Sequence, residues 1–202
     1  MREKKYVAKE AEENVRIFWV MLFMPILGGA IATANPELSL IYGVASLIFV
    51  VPLTLWTIYG VIMKKWKIIG WIQLHYIICN YVATGLIMVG VWRYFGAISF
   101  IGVLFLIIYL SSTIIPYIYR KEFFGAIWGG KGSKKIFPLF FGVFCLAALI
   151  AGGSSYASMQ ASVRLYGEEI TQLRYSVAGI FVSIFLNMLY SGLWTIVKDE
   201  ND

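Results

Sequence analysis

Six apolar runs, each long enough to form a helix that crosses a bilayer, constrain this chain more than any other feature. They cover residues 17–34, 38–63, 68–91, 96–119, 136–157 and 176–197. A spanning helix takes about 20 apolar residues, so six of them with short turns use nearly the whole length. With 60% hydrophobic and 14% charged residues among 202, the apolar side chains exceed what one soluble core can hold, and lipid becomes the solvent that satisfies them. The expected fold is an all-α integral membrane protein, a bundle of six transmembrane helices in up-down hairpins. The expected organisation is a charged N-terminal segment at 1–16, a transmembrane domain at 17–197 and a tail at 198–202.

The breaks between the runs carry turn and interface chemistry. Asn35, Pro36 and Glu37 suit a tight turn, and Lys64, Lys65 and Lys67 cannot sit in hydrocarbon without cost. Trp66, Trp71 and Trp92 mark the two interfaces of the third run as an aromatic belt does. Arg164 and Glu168 stand one helical turn apart, as an ion pair would. Small residues with A-x-A spacing before Asn35 raise the question of a cleaved signal peptide. The long preceding segment with Glu3, Glu10, Glu12 and Glu13 argues against it.

Orientation follows from Lys and Arg. With the N-terminus inside, 14 of the 17 fall on the inner side and only Arg93, Arg164 and Arg174 on the outer. The positive-inside rule then places both termini in the cytoplasm of a cell-membrane protein. Lys and Arg form short groups beside the spans rather than a continuous stripe, so the expected partner of the +6 charge is the bilayer, with its anionic headgroups, and not nucleic acid.

Acidic residues are missing where membrane-embedded catalysis needs them. Asp occurs only at Asp199 and Asp202, and no Glu lies inside an expected span. Intramembrane aspartyl proteolysis, metal-dependent phosphotransfer and carboxylate-coupled pumping all require such groups. His75 is the single histidine, and neither Cys79 nor Cys145 has a metal-like spacing to it, so no metal or cofactor site is expected. Glu168-Glu169 with Arg174 is similar to the EExxxR motif of CAAX-type membrane proteases. The arginine is one position late, and the further histidines that those enzymes use are missing. The stretch from Gly125 to Gly132 matches G-x-x-x-x-G-K, but Gly132 stands where a P-loop needs Ser or Thr and no parallel sheet precedes it. The expectation is a protein that is not an enzyme.

Polar residues within the runs are few and ordered. Gln73, Asn80 and Thr84 share one face of the third span, and with Asn187 they form the candidate intramembrane contacts, or the lining of a solute pathway. His75, on another face, is read as a neutral core histidine bonded to a neighbouring helix. Gly179, Ser183, Asn187, Ser191 and Thr195 recur every fourth residue in the sixth span, a stripe of small residues that admits a close neighbour. Its expected partner is the fifth span, through Ala147, Ala151 and Ser155. Pro25, Pro52 and Pro116 each free a backbone carbonyl, and Ser111, Ser112 and Thr113 stand ready to bond the one below Pro116.

The longest polar interruption, residues 120–135, combines bases with aromatics. Phe123, Phe124 and Trp128 are expected to dip into the headgroups while Lys131, Lys134 and Lys135 meet anionic lipid or a protein partner, at about 1 kcal/mol per basic residue. The leading functional expectation is a non-enzymatic membrane protein that acts through a protein partner, as an accessory subunit or an immunity-type protein does. The alternative is a small-solute carrier or the membrane-embedded binding subunit of a transporter. In length and helix number the chain resembles the S-components of energy-coupling-factor transporters, with no shared motif to quote.

Overall fold

A computed structural model describes residues 2–123, 142, 145 and 156–195. Within them the chain forms α1 (Arg2–Ala34), α2 (Leu40–Ile62), a 3-10 turn (Lys65–Lys67), α3 (Ile69–Tyr94), α4 (Ser99–Ile118), α5 (Tyr156–Tyr166) and α6 (Glu168–Ser191), with no strand among the described residues. Four of these helices, α2, α3, α4 and α6, are long and apolar enough to cross a membrane. The apolar part of α1, Phe18–Ala34, is shorter. It continues without a break from the charged N-terminal residues as one helix of 33 residues. The expected span at 136–157 lies almost wholly outside the described residues.

The helix α3 is the centre. It is 56% buried over its most apolar stretch, whereas α2 and α4 are 17% buried and turn most of their Leu, Ile, Val and Phe side chains outward. That inside-out distribution suits lipid, where an apolar exterior costs nothing. Packing therefore has to come from shape rather than from expulsion of water, and small residues supply it. A Cβ on Gly28 would stand 2.6 Å from the Ala83 carbonyl oxygen, and one on Gly90 would stand 3.0 Å from Ile31 Cγ2, so α1 and α3 touch backbone to backbone.

Arg93 fastens one end of this pair. Its guanidinium donates to the carbonyls of Ala32, Thr33 (3.0 Å) and Glu37 (2.7 Å) and lies 4.4 Å over the Tyr42 ring. These carbonyls belong to the C-terminus of α1 and the turn after it, where unpaired acceptors and the negative end of the helix dipole favour a cation. Beside it, Asn35 Nδ2 donates to the Gly90 carbonyl at 3.0 Å, and Gln172 Nε2 donates to Asn35 Oδ1 at 3.2 Å. The turn at 35–37, read from sequence only as a turn, thus ties α1 to both α3 and α6. Arg93→Leu is expected to cost about 1.5–3 kcal/mol, the range for hydrogen bonds to a charged group, and to lower the melting temperature in detergent. Arg93→Lys should recover only part of that loss, because one ammonium cannot repeat a planar fork over several carbonyls.

The start of the last helix differs from the sequence expectation. The last helix begins at Glu168, eight residues before the expected 176, because Gly167 at φ 83° starts it and Glu168 and Glu169 fill its first turn, where acidic groups favour the helix dipole. The same glycine interrupts the helix between Arg164 and Glu168, so their one-turn spacing does not carry through a continuous helix. The hydroxyls below Pro116 also act differently: Ser112 and Thr113 both donate to the Tyr109 carbonyl, at 2.8 and 2.9 Å. Their own i−3 and i−4 geometry makes Tyr109 the acceptor within reach, rather than the carbonyl that Pro116 frees.

Candidate functional site: a buried polar node on the central helices

Asn187 sits on α6 where α3 and α4 meet it, with 0% exposure. An amide side chain offers two donors and two acceptor sites. Here each faces a partner: Oδ1 accepts from Asn80 Nδ2 at 3.3 Å and lies 2.7 Å from Thr84 Oγ1, whose one proton is shared with the Asn80 and Tyr81 carbonyls, while Nδ2 donates to Ser112 Oγ at 2.9 Å and Thr113 Oγ1 at 3.4 Å. The donor sense is consistent, since Ser112 and Thr113 spend their protons on Tyr109 and are left as acceptors. The single side chain therefore joins three helices in a medium with no competing water.

A second group of bonds extends the node by one turn. Tyr81 Oη lies 2.8 Å from Ser191 Oγ and accepts from Trp194 Nε1 at 3.2 Å, while Tyr109 Oη donates to the Tyr81 carbonyl at 2.8 Å. Next to it Ile77 packs against Leu193, flanked by Leu74 and Tyr190. In the other direction Gly179 brings α6 close to α3, with Val91 Cγ2 and Ile87 Cγ2 lying 3.3 and 3.5 Å from where its Cβ would stand.

The structure brings Asn80, Thr84 and Asn187 together, along with Ser191. It leaves Gln73 out of the node, and among the described residues neither Gln73 Oε1 nor the fully buried Ser183 hydroxyl has a hydrogen-bond partner. The stripe of Gly179, Ser183, Asn187 and Ser191 was expected to meet the fifth span. Its described contacts are with α3 and α4, whose Asn80, Thr84, Ser112 and Thr113 supply complementary groups. Ala147, Ala151 and Ser155 lie outside the described residues, as do Phe124, Trp128, Lys131, Lys134 and Lys135. Phe123 differs from its expected place among the headgroups: it is 5% exposed and packs on Met188, because a helical turn after Tyr119 carries it back onto α6. Tyr81, Tyr109 and Trp194 were missed as polar partners. Tyr81 follows Asn80 directly, and only the angle of α6 on α3 lets neighbours on different faces share one interface.

His75 occupies a separate core position. Thr57 Oγ1 lies 2.7 Å from the Leu53 carbonyl and 2.8 Å from His75 Nε2. The ring is 0% exposed and lies 4.6 Å from the Phe18 ring and 5.4 Å from the Trp56 ring. The aromatic cage, the Thr57 hydroxyl and the Cys79 thiol, 3.7 Å from Nε2, surround the imidazole on all described sides. Among the described residues no three His, Cys, Asp or Glu side chains come together as metal ligands would.

A groove of about 640 Å³ runs between α2, α3 and α4, lined by Phe49, Gly85, Val89, Val103 and Leu106 together with Tyr81 and Tyr109. Its walls are almost wholly apolar, so it offers packing surface and few hydrogen bonds. The node and the His75 cage join side chains of different helices, and inside the cage Cys79 Sγ lies 3.7 Å from His75 Nε2. No protein-family model, curated protein or solved structure matches the chain.

Proposed function

We propose that this chain is a non-enzymatic, multi-pass protein of the cell membrane, with six spans and both termini in the cytoplasm, that works by contact with a protein partner as an accessory subunit or immunity-type protein. The observation that carries this reading is Asn187. Its donors and acceptors all face Asn80, Thr84, Ser112 and Thr113, so the most polar point of the described spans serves protein architecture rather than a substrate. The orientation rests on the excess of Lys and Arg in the segments assigned to the inner side. Residues 120–135, with three lysines beyond the aromatics, are the proposed contact with partner and anionic lipid. Purification in mild detergent is expected to recover a second protein in fixed stoichiometry. Replacing Lys131, Lys134 and Lys135 together by glutamine should weaken that association by roughly tenfold or more, about 1.4 kcal/mol. A clean monomer, or an association indifferent to the three substitutions, would sink the reading.

One observation favours a second reading, that of a small-solute carrier or a membrane-embedded binding subunit. Asn80 Oδ1 and Ser183 Oγ are buried on α3 and α6 without partners among the described residues, as groups awaiting a polar ligand would be. On this reading Asn80→Leu abolishes uptake of some solute while insertion is preserved. An unchanged uptake profile in that variant removes it.

A further inference from the structure

The groove between α2, α3 and α4 has the length of one membrane leaflet. At one end Tyr81 and Tyr109 stand at the middles of α3 and α4, and at the other Trp92 and Ser99 stand near the ends of the same helices. The helical rise from Tyr81 to Trp92 is about 16 Å, against about 15 Å for half of the hydrocarbon core. Glycine makes the floor deep. Gly85 puts no side chain into it, and Gly102 lets the Trp92 indole lie against α4, with Nε1 2.7 Å from where a Cβ would stand.

The polar atoms of the walls are turned toward the protein. Trp92 Nε1 donates to the Ile98 carbonyl at 3.0 Å, Tyr109 Oη donates to the Tyr81 carbonyl at 2.8 Å, and Tyr81 Oη lies 2.8 Å from Ser191 Oγ. A polar solute entering the groove would give up its hydration for walls that offer almost no bond in return. The occupant that suits them is apolar along its whole length.

We propose that this groove binds one acyl chain of a phospholipid from the leaflet on the Trp92 side, with the headgroup at Trp92 and Ser99 and the chain end at Tyr81 and Tyr109. The groove continues the surface that already faces lipid, since its rim residues Phe49, Val103 and Leu106 are each more than half exposed on α2 and α4. Trp92 stands where indole rings favour the headgroup level, and the exposed Ser99 hydroxyl can donate to an ester carbonyl of the same lipid. A second membrane helix fits less well. Such helices approach closely through small residues, and the bulky rim holds a helix off the glycines below, whereas a single chain passes between. The inference rests on the bilayer environment and not on the proposed partner contact, so the two stand or fail separately.

Native mass spectrometry of the full chain, reconstituted in palmitoyl-oleoyl-phosphatidylcholine vesicles and then released from mild detergent, tests it. The expected spectrum shows a single phosphatidylcholine retained on each chain. Gly85→Leu brings a side chain into the groove from a position where a Cβ meets Tyr109 Oη at an ordinary 3.5 Å, and it should lower the retained fraction severalfold. Val89→Trp fills the groove one turn further along and decides the matter if Gly85→Leu does not fold. Ile48→Trp, at a position 68% exposed on α2 and outside the groove, should leave retention unchanged. A parent chain that carries no lipid, retention that a folded groove variant leaves intact, or an equal loss in Ile48→Trp overturns the proposal. So does a dimer that takes the place of the lipid-bound chain and is broken by the groove variants, because the occupant is then a second copy.

Discussion

Asn187→Leu is expected to lower the stability of the folded protein by about 2–4 kcal/mol, read as a shift in denaturant or thermal unfolding in detergent. Leucine repeats the branch of asparagine at Cγ and is not smaller, so the change removes hydrogen bonds rather than opening a cavity. Polar contacts between membrane helices average about 0.6 kcal/mol and reach about 1.7, and this residue makes four of them to two other helices. Its loss also strands Asn80 and Thr84 on α3 and Ser112 and Thr113 on α4, which adds a desolvation cost for each group that finds no new partner. Asn80→Leu removes a single long bond of 3.3 Å to Asn187 and should cost well under half as much. If the two variants cost the same, Asn187 is not the junction that its geometry implies.

The second large effect concerns α1 and α3. Gly28→Val is expected to destabilise by about 3 kcal/mol, the upper part of the range for overpacking. The Cβ alone would stand 2.6 Å from a backbone oxygen of Ala83, an atom that cannot swing aside as a side chain can, so the helices themselves must separate. Gly28→Ala also clashes but gains about 1 kcal/mol of helix propensity, so its net loss is smaller. Gly85→Ala is the control: its nearest neighbour, Tyr109 Oη at 3.5 Å, is at ordinary contact distance, and stability should hold or rise slightly. A Gly28→Val protein as stable as the parent would mean that α1 does not press on α3.

Helical character was legible along the described chain because each apolar run is long, free of internal charge and bounded by Lys, Trp, Asn or Pro. The boundary at 168 was not. Residues 168–175 are polar enough to read as a linker, and their helicity depends on Gly167 and the acidic first turn rather than on hydropathy. Among the polar residues, the every-fourth-residue stripe on α6 and the shared face of Asn80 and Thr84 were read as two surfaces. Which surface meets which was not there to read, because the period of a helix records its own faces and carries nothing about the neighbour. The stripe was matched on the grounds of size to Ala147, Ala151 and Ser155, which lie outside the described residues; among those described, its Asn187 meets Asn80, Thr84, Ser112 and Thr113.

Arg93 shows the same division. From the sequence it is one cation in a short turn, and it was counted only toward orientation. The fold makes it the cap of α1, since the carbonyls of Ala32, Thr33 and Glu37 converge only once the 35–37 turn has folded over α3. The sequence by itself determined the solvent and the helical class, because both follow from composition and local period, terms that are summed residue by residue. Tertiary structure alone decided that α3 is the centre and that Asn187 joins three helices. Those depend on the meeting of side chains far apart in the chain, such as Asn80 and Asn187, 107 positions apart, and no local property of either segment specifies the other.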